Sequence, residues 1–297
     1  MDRVRHAHSE GHEGRRPAWG FTLIEMIVTM VILAILAAGT TAFITRSVES
    51  YTDTAQRDQL ASAGRIAVER ISRELRNALP NSVRISGTCI EFMPLVVGAR
   101  YQMATGTYST GQNMLALPVS GFTAPASSFD AFDLDFTPGN AAYYVAVYPL
   151  GPGTGDGDPY AVAAPGALFP LAGISSIGRP ANVSRVDLAG GNHLFSRQSP
   201  NQRFFIVTNP VSFCVTNGGT LNRYAGYGIK PVQPSPPGGG DLLAEDLQLS
   251  DNGSPVAPFR YTPGGLNRNG LVTIDLRFMK NGEWVRLQHE VQIRNVP

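Results

Sequence analysis

Charge is scarce in this chain. Only 16% of its residues are charged, and 24 Lys and Arg stand against 23 Asp and Glu, a formal net charge of +1. There is no basic field to attract a polyanion, so composition gives nucleic-acid binding no support. Cysteine is nearly absent: Cys89 and Cys214 are the two, and neither sits in a C-x-x-C pair. Of five histidines only His193 and His289 lie beyond residue 20, so no set of His and Cys has metal-ligand spacing. The sequence also lacks a Gly-x-Ser-x-Gly elbow and a Walker loop. No enzyme class gains support from these absences, and the expectation is a non-enzyme without cofactor or metal. Proline is missing from one place that matters, between Pro17 and Pro80, although the chain holds 22 Pro and 32 Gly. Elsewhere that abundance points to turns and long loops rather than a helical bundle.

What is present is concentrated at the N-terminus. Residues 1–20 are polar, carry Arg3, Arg5, Arg15 and Arg16, and end in Trp19-Gly20. They hold four arginines and three acids, so the rest of the chain balances at 20 basic and 20 acidic groups. An apolar run begins at Phe21 and continues to Ile44, and from Met26 to Thr45 there are 20 residues without a charge. That is about the length a helix needs to cross a hydrocarbon core. Arg15 and Arg16 on its flank favour a cytoplasmic N-terminus. One acid, Glu25, interrupts the run. A secretory signal peptide would place its cleavage site in the small-residue tract Leu36-Ala-Ala-Gly-Thr-Thr-Ala, but such signals rarely hold an acid in their apolar region. A plain single-pass anchor explains the length and again leaves Glu25 without a reason. A carboxylate at mid-bilayer costs about 2.5–3.5 kcal/mol on insertion scales, less near the interface, so a partner charge is expected unless the side chain snorkels to the headgroups.

The string Gly20-Phe21-Thr22-Leu23-Ile24-Glu25 resembles the cleavage and methylation motif of type IV pilins and type II secretion pseudopilins. The resemblance implies that a prepilin peptidase cuts between Gly20 and Phe21, removes a cytoplasmic leader of residues 1–20 and N-methylates Phe21. Trp19 departs from the pattern, which often has a basic residue there. The new amine of Phe21 supplies the missing partner charge: in this family the acid, here Glu25, meets the amine of a neighbouring subunit and sets assembly register. The implied partners are the peptidase, other major and minor pilins or pseudopilins and the inner membrane, with the C-terminal domain periplasmic. In an exported, oxidising setting a Cys89–Cys214 disulfide is the expected arrangement, with two buried free thiols as the alternative.

The implied fold class is α+β: a long N-terminal helix packed on a β-rich periplasmic domain. Residues 21–80 are read as the helix, membrane-spanning to about 45 and then amphipathic, and residues 81–297 as the globular domain. The helix itself is predicted from about Thr22 to Leu79, with Pro80 as its stop. Leu60, Gly64, Ala67, Val68, Ile71, Leu75, Ala78 and Leu79 form a buried stripe at 3–4 spacing, while Gly39 and Gly64 soften the rod. Beyond Pro80 the period changes to two. Predicted strands are Cys89–Phe92, Leu95–Tyr101, Tyr143–Tyr148, Phe204–Thr208, Val211–Val215 and Tyr224–Ile229. The last element is a hairpin, with Val272 to Phe278 and Val285 to Ile293 alternating about an Asn281-Gly282 turn that suits type I′. His289 falls on its apolar face and is expected to be a hydrogen-bonded core histidine. Gly151–Pro165 and Gln233–Gly240 read as surface loops.

The chain is about twice the usual length of a major pilin, which favours a minor subunit of low copy number. Arg203-Phe-Phe-Ile-Val-Thr-Asn-Pro-Val-Ser-Phe-Cys-Val, Leu221-Asn-Arg-Tyr and the ending from His289 to Pro297 are similar to the minor pilin O of mannose-sensitive haemagglutinin pili. They also resemble J-type minor pseudopilins of type II secretion. Two further ideas stay open. Asp156 and Asp158 resemble part of a calcium loop but lack the remaining ligand spacing, so a solvated turn is expected. Asp241, Glu245, Asp246 and Asp251 read the same way. Tyr160 and Phe169 would serve a lectin-like tip if exposed, or the core if not.

Overall fold

The computed structural model describes residues 20–102, 126–162, 165–176, 183–234, 236–251, 253–265 and 268–293; the leader, residues 1–19, lies outside them. Two compact units are present, residues 1–54 and residues 55–297. One helix, α1 (Leu23–Arg76), runs through the first and into the second. It ends three residues before the expected Leu79. A residue preceding proline is disfavoured in helical geometry, and the chain from Asn77 to Leu79 finds strand-like partners instead. The Leu79 N–H donates to Met93 O at 2.8 Å and the Leu95 N–H to Asn77 O at 2.7 Å.

In the larger unit a first core lies between α1 and two sheets. The first sheet orders β1 (Arg84–Ser86), β2 (Cys89–Phe92), β9 (Val211–Val215), β10 (Leu221–Tyr224) and β11 (Asp241–Ala244) as β1-β2-β9-β10-β11, all antiparallel. The second is β14 (Phe259–Thr262), β15 (Gly270–Lys280) and β16 (Glu283–Ile293), in that order. Ile90, Phe92, Phe213, Val272, Ile274, Leu276 and Phe278 pack on Leu60, Ala67, Ile71 and Leu75 of the helix. Each such side chain, fully buried, contributes about 1.5–3 kcal/mol. The predicted stripe is therefore the packed one. Gly64 has a different role from the one expected of it: a Cβ there would lie 2.4 Å from Leu287 Cδ1 and 2.7 Å from Phe278 Cε2. It lets the helix approach the hairpin closely rather than softening a rod.

The hairpin forms as read. Lys280 pairs with Glu283 across Asn281 and Gly282, whose φ angles are +50° and +88°, the left-handed pair a type I′ turn requires. A small ribbon, β12 (Ser250–Asp251) with β13 (Ser254–Pro255), precedes β14 in sequence.

The third layer was not anticipated. β3 (Leu95–Tyr101), β4 (Ser128–Phe132), β7 (Val183–Leu188), β6 (Leu168–Ser176), β5 (Tyr143–Ala146) and β8 (Arg203–Thr208) close in that order into a six-stranded antiparallel barrel. Tyr101, Phe129, Val145, Val186, Phe204 and Ile206 fill its interior. On the outside, Phe205 and Val207 pack on Leu79, Met93, Tyr160 and Leu168. β8 is thus covered on both faces, which is why Phe204-Phe-Ile-Val reads as a continuous apolar run instead of alternating. The expected strand Tyr224–Ile229 is a correction: pairing stops at Tyr224, because Gly226 (φ +76°) and Gly228 (φ +72°) turn the chain.

Candidate functional site

At the N-terminal unit, Thr22 sets where the helix begins. The Glu25 N–H donates to Thr22 Oγ1 at 3.3 Å and to Thr22 O at 3.1 Å, and the Met26 N–H to Thr22 O at 3.2 Å. Thr22 is the N-cap and Glu25 the third helical residue, the T-x-x-E spacing of a capping box. The first turn of a helix favours negative charge, so Glu25 has a local reason for its position besides any partner. Phe21, at 76% exposed, is the residue just ahead of the cap. Gly20 has open space around it. From Leu23 to Tyr51 the apolar side chains are exposed on every side, Ile24, Val28, Leu33, Leu36 and Phe43 among them. The threonine hydroxyls in this stretch return to their own helix, among them Thr40 to Leu36 O at 2.8 Å and Thr41 to Ala37 O at 2.8 Å. A helix with its backbone and its hydroxyls satisfied internally can enter hydrocarbon at little polar cost. This one is long and apolar enough to cross a membrane.

In the larger unit Cys89 and Cys214 face each other directly across β2 and β9, with Cα atoms 4.0 Å apart, and form a disulfide. The period-two rule puts Cys89, Glu91, Ser212 and Cys214 on the sheet face away from the helix. There the sequence missed a buried ionic cluster. Glu91, fully buried, is hydrogen-bonded to Arg84 Nε and accepts from the Tyr227 hydroxyl at 2.7 Å. Arg84 also donates to Pro231 O at 2.7 Å and Lys230 O at 2.8 Å, and its guanidinium lies 3.6 Å over the Tyr160 ring. Burial, reinforced by the Glu91 charge, pushes the Tyr160 and Tyr227 hydroxyls far up, so both remain protonated donors. The cluster clamps segment 224–231 onto the sheet. An acid alternating with apolar residues in Cys-Ile-Glu-Phe gave only the hint that Glu91 faces away from the core.

Several expected residues stand elsewhere than predicted. His289 is half-buried at an open groove. The core histidine is His193, stacked on Phe169 at 4.2 Å and hydrogen-bonded through Nε2 to Gly166 O at 3.2 Å. Tyr160 is buried and donates to Ser82 O at 2.7 Å, and Phe169 packs on the barrel core; neither offers a surface to a glycan. Asp158 accepts from the backbone N–H groups of Gly153 and Tyr160, both at 2.8 Å, and Asp156 pairs with Arg197. Asp246 and Asp251 pair with Lys280 and Arg277. These carboxylates shape turns and bind cations of the chain itself. Among the described residues no group of three or more His, Cys, Asp and Glu is placed to hold a metal ion.

Residues 20–41 match the family described as "Prokaryotic N-terminal methylation motif". No curated protein and no solved structure matches the chain. The matched segment is the type IV pilin-like prepilin signal, and it implies processing by a prepilin peptidase and assembly with other pilins. Behind it, the long apolar helix fits a single-pass anchor. A helix of this kind followed by a β-rich domain is an α+β arrangement consistent with type IV pilin-like architecture.

Proposed function

We propose that this chain is a minor pilin-like structural subunit, not an enzyme, that primes or caps a type IV pilus of the mannose-sensitive haemagglutinin kind. In this reading prepilin peptidase cuts after Gly20 and methylates Phe21. The N-terminus is cytoplasmic, α1 anchors the subunit in the inner membrane, and the β-rich domain is periplasmic until assembly. The observation that carries it is the matched signal at residues 20–41, seated on a capped helix whose apolar surface is exposed on all sides. Such a surface needs lipid or the helices of other subunits to cover it. Glu25 then meets the new amine of a neighbouring subunit. The size of the β-rich domain supports a minor over a major subunit. The second reading is a J-type minor pseudopilin of type II secretion, which shares every one of these features.

A clean deletion in the source organism separates the two, with sheared surface pili and secreted proteins scored side by side. Loss of pili with normal secretion is the expected result. Normal pili with exported proteins trapped in the periplasm would replace it with the pseudopilin reading. Complementation with Glu25→Ala is expected to leave the subunit processed but unassembled; full assembly would remove the register role of Glu25.

A further inference from the structure

The groove between the second half of α1 and the free edge of β16 is unexplained by the N-terminal signal. β16 pairs with β15 along its whole length without a register shift, and among the described residues no strand pairs with its other side. An open edge of 11 residues presents a row of N–H and C=O groups ready for another strand. β16 has no proline and no bulge, and of its charges Arg286 is held on the outer face by Asp275 at 2.8 and 2.9 Å, which leaves Glu283 and Glu290.

Alongside this edge runs a groove of about 510 Å³, with Val68 and Leu287 as its apolar part. Arg65, Arg73 and Arg76 of α1 line it; all three are exposed and none is ion-paired among the described residues, with Glu69 the one acid lining the groove. Ser72, in the same groove, is only 3% exposed, and among the described residues its Oγ has no hydrogen-bond partner.

We propose that β16 is a docking edge for an extended, acidic segment of another protein chain, which adds to the C-terminal sheet as a fourth strand. Its backbone satisfies the open edge, its carboxylates on the helix-facing side meet the three arginines, and the alternate apolar side chains lie on the opposite face of the sheet. The spacing fits. Arg65 and Arg73 are separated by roughly 12 Å along the helix, and residues four apart on a strand by roughly 13 Å, so acids at alternate positions reach both. The inference goes beyond the assembly reading, which rests on the N-terminal helix, and stands or falls separately from it.

The test uses the full chain in detergent micelles and a short synthetic peptide alternating valine with glutamate. Saturable binding is expected, with slowed hydrogen exchange of the β16 amides. The same peptide with lysine in place of glutamate should bind at least roughly tenfold more weakly. The double variant Arg73→Glu, Arg76→Glu, at exposed positions that leave the fold intact, should reverse that preference. No saturable binding, equal binding of the two peptides, or protection brought by phosphatidylglycerol in the micelles and not by the peptide would overturn the proposal. The last of these would assign the arginines to lipid headgroups.

Discussion

Gly64 is where two physical effects oppose each other with known signs. Replacing it by alanine removes the backbone entropy cost of glycine inside a helix, a gain of about 1 kcal/mol. Against that, the added methyl meets Leu287 Cδ1 at 2.4 Å, Phe278 Cε2 at 2.7 Å and Phe278 Cζ at 3.1 Å. Leu287 is half-buried at the groove and can turn its tip away. Phe278 is 1% exposed and packed among the helix stripe and β15, so its ring has nowhere to go, and overpacking of this kind costs typically about 1–3 kcal/mol. The balance for Gly64→Ala is a net loss of about 1 kcal/mol, and for Gly64→Val, with more bulk at the same point, about 3 kcal/mol. In a domain of this size a loss of 1 kcal/mol lowers Tm by roughly 2–4 °C. Guanidinium and thermal unfolding of the full chain in micelles, followed by circular dichroism, read both shifts. Leu287→Ala in the same background should recover part of the Gly64→Ala loss, because the two neighbours couple. A Gly64→Ala variant stabilised by the full helix-propensity gain would show that the close approach to Phe278 is not constraining.

Three further outcomes are expected. Reducing the Cys89–Cys214 bridge, which closes a separation of 125 residues, should lower stability by on the order of 5 kcal/mol in the chain-entropy model; unchanged unfolding on reduction would contradict it. Glu91→Gln leaves Arg84 facing a neutral partner in a buried site and should cost about 3 kcal/mol, while the double variant with Arg84→Gln should cost less than the two single losses combined; additive losses in denaturant titration would show that the two are not coupled. His193 is held below its ordinary pKa of 6.5, mainly by burial and despite its hydrogen bond to Gly166 O. The folded state therefore binds its proton more weakly than the unfolded chain, and stability falls as pH drops below about 6.5. His193→Phe should flatten that acid-side loss between about pH 7 and 5, and an unchanged slope would assign the loss to other groups.

The local elements were legible because their signals are local. An apolar run of 20 uncharged residues gives a membrane-length helix by composition alone. Period two with Asn281-Gly282 gives the hairpin and its register, since a tight turn leaves little freedom. The strands Cys89–Phe92, Leu95–Tyr101 and Val211–Val215 were also readable from apolar patterning. The disulfide followed from the compartment that the N-terminal motif implies. What tertiary structure alone decided is which distant segments meet. Closure of the barrel depends on β4, β6 and β7, whose Ser128-Phe-Asp-Ala-Phe, Leu168 to Ser176 and Val183 to Leu188 are too mixed in small and polar residues to declare a face. In the Glu91–Arg84–Tyr227 clamp the Tyr227–Glu91 bond alone joins residues 136 apart, and its members are ordinary until folding brings them together. The buried role fell to His193 and not His289 because a strand at a sheet edge leaves its apolar face half open, whereas a loop folded over the barrel does not. Periodicity says which way a side chain points; only the completed packing says whether anything covers it.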